Sequence, residues 1–319
     1  MGSDVSLVIA SQMHEGFNER LRAHASAPKV ISVPEERPWE AADDADLLLI
    51  RPSLEWRRLK AHSRPAEWPG RLKWVYSVSV GVDFYPSWVL EAPLVTCGRG
   101  VASAEIADYV IAAIYSHSKN LDAISVHAPS EWQPAPLGRI VGGTLGIVGL
   151  GAIGTEVARR ALALGMRVTA TRRRPRPSPL EGVDLLDTLH AVVASADHLL
   201  LALPATDSTR SLIDAAVLAQ AKPSAHIINV ARGSILDQDA LLAALDERRL
   251  GFATLDVTEP EPLPAGHPLW THPRVRLTPH VSSNYTAVIH ALFDKVATDL
   301  ERFIRGEPPS DIVDTVAGY

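Results

Sequence analysis

The feature that most restricts this chain is the apolar run Leu145–Val148 followed at once by Gly149-Leu150-Gly151-Ala152-Ile153-Gly154 and then by helical periodicity over Ile153–Leu164. In a G-x-G-x-x-G turn the first glycine permits the tight bend and the second lets the backbone approach a pyrophosphate. The third lets helix and strand pack closely. The helix then turns free N–H groups and the positive end of its dipole toward the phosphates. The spacing alone is weak in a chain with 20 glycines; its place after a strand and before a helix gives it weight. Gly149, Gly151, Ala152, Ile153 and Gly154 are therefore candidate cofactor-binding residues.

The rest of the chain carries the same alternation. Strands are expected at Val5–Ala10, Val30–Val33, Leu47–Ile50 and Leu72–Tyr76, with a helix at Glu15–His24 and another at Ala104–Ser116. After the glycine turn, strands are expected at Arg167–Thr171, His198–Leu203, His226–Val230 and Ala253–Val257. Helices are expected at Ala215–Ala221, Gln238–Leu245 and Tyr285–Ile304. Such a rhythm implies an α/β fold with parallel sheets. At 319 residues the chain is too long for one average core and comfortable for two.

Bulk composition removes several classes. A formal charge of −6 gives no general attraction to nucleic acid or anionic lipid. No apolar run approaches the roughly 20 residues of a membrane helix. The single cysteine, Cys97, forbids an internal disulfide framework, reads as a small core residue and fits a reducing, cytoplasmic setting. Met1-Gly2 with Ser6 matches the bare myristoylation pattern, but these residues lead straight into an apolar run that reads as a core strand.

The strand after the glycine turn bears on which dinucleotide is bound. An enzyme using NAD places an acidic residue at its end, about 20 residues on, for the ribose 2′-OH. Here Arg167–Thr171 ends in Arg172-Arg173-Arg174, with no Asp or Glu before Glu181. A guanidinium grips a 2′-phosphate that a carboxylate would repel. Thr171, Arg172 and Arg173 are read as a clamp preferring NADP(H), with NAD(H) possible. A solvated basic loop or a nucleic-acid patch competes, the latter poorly in an acidic chain.

Three further segments sit at or just after strand ends, where open α/β sheets bind ligands. They are Asn229-Val230-Ala231-Arg232-Gly233, then Asp256 to Pro262 with Gly266-His267-Pro268-Leu269-Trp270, and Thr278-Pro279-His280. With Val80-Gly81-Val82-Asp83, Leu203-Pro204, Thr206, Thr209 and Gly306-Glu307-Pro308, they make nearly the whole chain resemble the D-isomer-specific 2-hydroxyacid dehydrogenases. The run Val257–Trp270 looks most like the glyoxylate/hydroxypyruvate reductase branch.

The resemblance implies a catalytic trio of Arg232, Glu261 and His280. It implies cofactor contacts from Leu203, Pro204, Thr209, Val230, Ala231, Arg232, Asp256 and His280, and a substrate carboxylate held by the backbone of Val80 and Gly81. Chemistry asks for the same types. Reducing a ketone needs a proton donor near neutral pH, which a histidine supplies. A carboxylate beside it favours the imidazolium and fixes the tautomer. A forked guanidinium suits a carboxylate and a keto oxygen. Arg51, at a strand end, is a further substrate candidate, and His267 a weaker rival to His280. Asp256 reads more as a loop brace than as a proton carrier. Arg99, between two glycines where many family members carry Asn, is a candidate hinge or second phosphate contact.

The family fold implies two doubly wound parallel-sheet domains. A dinucleotide domain, about 100–284, is inserted into a substrate domain made of 1–99 and about 285–319, with hinge closure excluding water. A homodimer through Ala104–Ser116 is also implied. The expected activity is reduction of glyoxylate, hydroxypyruvate or a similar 2-oxo acid by NADPH. The alternative is a nucleotide-sensing, corepressor-like binding protein on the same fold.

Overall fold

A computed structural model of the chain describes residues 7–40, 43–173, 176–283 and 285–319. The lipidation pattern at Met1, Gly2 and Ser6, the first residues of the expected Val5–Ala10 strand, and Arg174 lie outside the described residues. The chain divides into two compact units, Met1–Val101 with Val288–Tyr319, and Ala102–Ala287.

The first unit opens with β1 (Val8–Ser11), α1 (Glu15–Arg22), β2 (Lys29–Ser32), β3 (Leu47–Ile50), α2 (Leu54–Leu59), β4 (Trp74–Ser77) and β5 (Val95–Cys97). Its sheet runs β2-β1-β3-β4-β5, parallel throughout. β3 shows why the four-residue run Leu47–Ile50 makes a central strand. Side chains alternate between faces. Leu48 and Ile50 join one core with Trp56, Trp68 and Trp88, while Leu47 and Leu49 join another with Phe17, Trp74 and Tyr76. A run apolar at every position is what a sheet covered on both faces requires. Cys97 is fully buried, and burial pushes its thiol pKa up, as suits a core residue.

The second unit holds α3 (Ser103–Lys119), α4 (Leu121–Ile124), β6 (Thr144–Val148), α5 (Ala152–Ala163), β7 (Arg167–Thr171), β8 (Val183–Leu185) and α6 (Leu189–Ser195). It continues with β9 (His198–Leu201), α7 (Ala215–Leu218), β10 (His226–Asn229), α8 (Gln238–Asp246), β11 (Phe252–Leu255) and β12 (Val275–Leu277). The seven strands are parallel in the order β12-β11-β10-β9-β6-β7-β8. The order reverses between β6 and β9, the crevice where doubly wound sheets bind ligands at the carboxyl ends of their strands.

The last helix, α9 (Tyr285–Ile304), returns the chain to the first unit, where Leu292, Val296 and Leu300 complete the core of Phe17 and Trp74. The tail beyond it pairs with the edge of β5, through an antiparallel bridge between Thr96 and Ile312 and a 2.8 Å bond from Val313 N–H to the Val95 carbonyl. Lys295 Nζ holds the Asp311 carboxylate at 2.6 Å, and Arg99 Nε lies 3.8 Å from it. Arg99 thus has an acidic partner inside its own unit.

At the amino ends of β9 and β10 the second unit buries two histidines. His198 and His226 share a hydrogen bond between their Nδ1 atoms at 3.2 Å, and His226 Nε2 lies 2.8 Å from Thr254 Oγ1. The His117 ring from α3 stacks on His226 with centroids 4.4 Å apart. Two Nδ1 atoms in one hydrogen bond need one proton, so a second would set donor against donor. Burial pushes the pKa of His198 down to about 4, helped by His117 and opposed by Asp197. Burial likewise lowers that of His226, helped by His117, His198 and Arg276, and that of His117, helped by Arg276. An unfolded imidazole accepts its proton near 6.5. The unfolded state therefore binds more protons below that pH, so this stabilisation is whole above 6.5 and is lost as pH falls toward 4. Denaturant unfolding at pH 4.5 should give about 2.5 kcal/mol less stability than at pH 7.5 from His198 alone. A His198→Gln variant should show a flatter pH dependence; an equal slope would refute the assignment.

Candidate active site

The glycine turn is built as the sequence requires. Gly149 has φ 101°, and a Cβ there would meet the Ala202 carbonyl oxygen at 2.5 Å. A Cβ on Gly154 would meet the Gly149 carbonyl oxygen, also at 2.5 Å. Both contacts are backbone, so neither can give way cheaply. Gly151 differs: a Cβ would meet nothing within 4 Å. It caps α5 with no side chain to satisfy the free N–H groups of the first turn, which Ala152, Ile153 and Gly154 supply. An open surface over free N–H groups fits a pyrophosphate.

Other cofactor candidates ring the same end of the sheet. Thr171 closes β7, and the half-buried Arg172 donates from Nη1 to the Pro177 carbonyl at 3.2 Å, while Arg173 is exposed. That bond restrains the Arg172 guanidinium. Leu203 and Pro204 follow β9, and Thr209 Oγ1 donates to the Pro204 carbonyl at 2.8 Å, which fixes that loop. Val230 and Ala231 are buried just beyond β10.

Glu261 and His280 come together, with His280 Nδ1 lying 3.1 Å from Glu261 Oε2. A carboxylate only accepts, so Nδ1 carries the proton and Nε2 is the nitrogen that exchanges the second one. His280 has φ 54°, a left-handed conformation uncommon for a residue with a Cβ. Its N–H donates to the Asp256 carbonyl at 2.9 Å. The Asp256 carboxylate, 1% exposed, accepts from Val281 N–H and Ser282 N–H, each at 2.9 Å. Asp256 therefore braces the histidine loop, as its place in the motif suggests, and little of it is presented to a ligand.

Arg232 reaches the same neighbourhood by a different path. The Asn229 side chain accepts from Ala231 N–H at 3.0 Å and donates to the Arg232 carbonyl at 2.9 Å, which shapes the turn after β10. Arg232 Nη1 donates to the Ala231 carbonyl at 2.7 Å. The next residue, Gly233, packs so tightly on the Glu261 loop that a Cβ would meet the Thr258 carbonyl carbon at 2.0 Å. Gln238 clamps that loop too, donating to the Glu259 carbonyl at 2.6 Å and accepting from its N–H at 3.1 Å. Sequence alone points to neither Asn229 nor Gln238 for this role, although Asn229 opens the Asn229–Gly233 motif.

A cavity of about 490 Å³ adjoins the pair, with Leu263, Trp270 and Leu277 in its wall and Glu261 and His280 on it. His267 does something else: its Nδ1 accepts from Leu269 N–H at 3.3 Å and caps the short turn at Pro268–Trp270. In the first unit, Ser79 Oγ donates to the Gly81 carbonyl at 2.6 Å, setting the turn of Val80 and Gly81 after β4. Arg51 is ion-paired with Glu35, so a substrate carboxylate there would compete with a resident one. Among the described residues, no group of three or more His, Cys, Asp or Glu is placed to hold a metal, and no helix is long and apolar enough to cross a membrane.

Known proteins carry the same pattern. The family model for the D-isomer specific 2-hydroxyacid dehydrogenase NAD binding domain matches residues 111–282. Glyoxylate/hydroxypyruvate reductase A of Serratia proteamaculans is 31% identical over 297 residues, 89% of this chain and 91% of that protein. D-3-phosphoglycerate dehydrogenase of Methanocaldococcus jannaschii is 29% identical over 316 residues, 97% of this chain and 59% of that protein. The crystal structure of an NADPH-dependent glyoxylate/hydroxypyruvate reductase from Sinorhizobium meliloti, in complex with NADP and sulfate, superposes with a TM-score of 0.78. It is 28% identical, with 98% of this chain and 100% of that one covered. A G-x-G-x-x-G turn on a doubly wound sheet, a carboxylate-backed histidine at the same end, and these matches along the whole length lead to one conclusion: the chain belongs to the D-isomer-specific 2-hydroxyacid dehydrogenase family and is an NAD(P)-dependent oxidoreductase.

Proposed function

We propose that the chain reduces a small 2-oxo acid, glyoxylate, hydroxypyruvate or a similar molecule, to the D-2-hydroxy acid with NADPH. The observation that carries this reading is the His280–Glu261 pair at 3.1 Å, at the carboxyl end of the sheet that bears the glycine turn. The bound nicotinamide supplies the hydride. Protein groups do the rest. Imidazolium at His280 gives its Nε2 proton to the oxygen that becomes the hydroxyl. Glu261 keeps the proton on Nδ1 and stabilises the charged ring until that transfer. Arg232 binds the substrate carboxylate and polarises its keto group. Val80 and Gly81, at the turn after β4, are proposed to offer backbone N–H groups to a substrate carboxylate.

The preference for NADPH rests on Thr171-Arg172-Arg173 standing where a ribose-binding acid would stand. Replacing Arg172 and Arg173 together by Ala should weaken NADPH roughly 30-fold or more, from lost charge-assisted hydrogen bonds, and leave NADH within about twofold. Fluorescence titration of both cofactors decides it, and equal loss for both would contradict the clamp. The activity itself is tested by following NADPH absorbance over a panel of 2-oxo acids. Turnover of none, with cofactor still bound, would favour a sensor of nucleotide instead.

The same reading takes the protein as a cytoplasmic homodimer. Leu121, Trp132 and Leu137, in the segment after α3, are 64%, 78% and 51% exposed, and such apolar exposure suits a partner subunit. Sedimentation equilibrium should give the dimer mass, and Trp132→Ser should shift the protein toward monomer.

A further inference from the structure

The brace behind His280 extends beyond Asp256. Thr278 Oγ1 lies 2.7 Å from Asp256 Oδ1 and 2.6 Å from the Tyr109 hydroxyl. A hydroxyl has one proton to give, and a carboxylate only accepts. Thr278 therefore donates to Asp256, and Tyr109 donates to Thr278. The chain of hydrogen bonds has a single polarity and ends on an anion, an arrangement in which each bond strengthens the next.

Three of the bonds that Asp256 accepts act on one short stretch of backbone. Its carbonyl takes the His280 N–H, and its carboxylate takes the N–H groups of Val281 and Ser282. That stretch contains the left-handed His280, at φ 54°. A residue with a Cβ stays in such a conformation only when its surroundings over-determine it. Tyr109 reaches this loop from α3, across 169 positions of sequence. Its ring packs with the core of Ile106, Val110 and Ile147, a task that phenylalanine would perform as well. The hydroxyl is what the loop uses.

We propose that Tyr109 and Thr278 are positioning residues of the reaction, which through Asp256 hold residues 280–282 in the one backbone conformation that keeps the His280 imidazole on Glu261. The proposal rests on the reductase reading above for its effect on turnover, but its structural content does not.

The test uses full-length Tyr109→Phe, Thr278→Val and Thr278→Ser proteins. Tyr109→Phe and Thr278→Val should each lower kcat about five- to tenfold, the worth of one lost hydrogen bond, with the Kd for NADPH within about twofold. Thr278→Ser keeps the hydroxyl and should stay within about twofold of the parent. In parallel, ¹⁵N spectra of the histidine rings should show His280 as a single Nδ1–H tautomer in the parent and in Thr278→Ser, and as an exchanging mixture in the other two. If the parent turns over no 2-oxo acid, the reductase reading fails and the ring spectra alone decide the brace. Unchanged His280 spectra in both Tyr109→Phe and Thr278→Val would overturn the proposal. So would variants that melt earlier yet keep kcat within twofold.

Discussion

Replacing His280 by alanine should lower turnover of the 2-oxo acid by roughly 10³-fold while leaving the affinity for NADPH within about twofold. The two effects separate because, in the proposed reading, the histidine works on the substrate oxygen, whereas the cofactor is held chiefly by the glycine turn and the loops after β7 and β9. Without the imidazole, the proton must come from water, which is a far weaker acid than an imidazolium and is not oriented by Glu261. Glu261→Gln is the companion experiment. Glutamine can still accept from Nδ1–H, so the ring stays in place, but the negative charge that favours the imidazolium is gone. Its defect should be smaller than that of His280→Ala. Single-turnover kinetics with saturating NADPH would measure both. A His280→Ala protein that retained more than a tenth of the parent rate would remove His280 from the chemistry.

Gly233→Ala should be nearly as damaging by a purely steric route. The added Cβ would sit 2.0 Å from the Thr258 carbonyl carbon, 2.2 Å from its oxygen and 2.4 Å from the Glu259 nitrogen. None of these atoms belongs to a side chain that can rotate away, so one of two backbones must move. On one side is the turn that presents Arg232, and on the other the loop that presents Glu261, tied down by Gln238. A loss of about 3 kcal/mol of stability is expected, the upper part of the range for overpacking. A fall in kcat of about 100-fold should accompany it, because a displacement near 1 Å is enough to spoil catalytic alignment. Thermal melting and steady-state kinetics on the same preparation check both expectations. Parent-like values would mean that the two loops can separate at no cost, and that their close approach is incidental.

Much of this site was legible before any coordinates, but unevenly. The long helices α3, α5 and α9 and the strands β3 and β7 announce themselves by period or by unbroken apolar runs, and their observed bounds agree within three residues. The elements missed are short and belong to edges or to polar contexts. β12 is Val275-Arg276-Leu277, half-buried at every position, and β8 is Val183-Asp184-Leu185 with two exposed residues, so neither shows an apolar run. α2 and α6 are only six and seven residues long; their signals are the caps at Ser53 and Thr188 rather than any period. The first strand, expected to end at Ala10, runs on to Ser11, which, though polar, is buried and donates to Asn18.

Geometry was readable where residue type restricts it, as for the glycines of the turn and the pairing of Glu261 with His280. Roles that depend on folding were not. Nothing in the sequence says that Arg51 spends its charge on Glu35, that Arg99 faces Asp311, or that a tyrosine on α3 reaches the histidine loop. Those pairings join residues far apart along the chain, and no local pattern encodes them.

The order of the units along the polypeptide has a consequence for biosynthesis. The second unit is continuous, and all seven of its strands lie between Ala102 and Ala287. The first is not: the side chains of Leu292, Val296 and Leu300 that seal one face of its sheet are translated last, as is the tail that covers β5. A nascent chain halted just before Val288 on the ribosome should therefore carry a protease-resistant nucleotide module behind an amino-terminal segment still open to cleavage. The part of the first unit that precedes the second is in this way made before it and protected after it, and it is there that chaperones should be found.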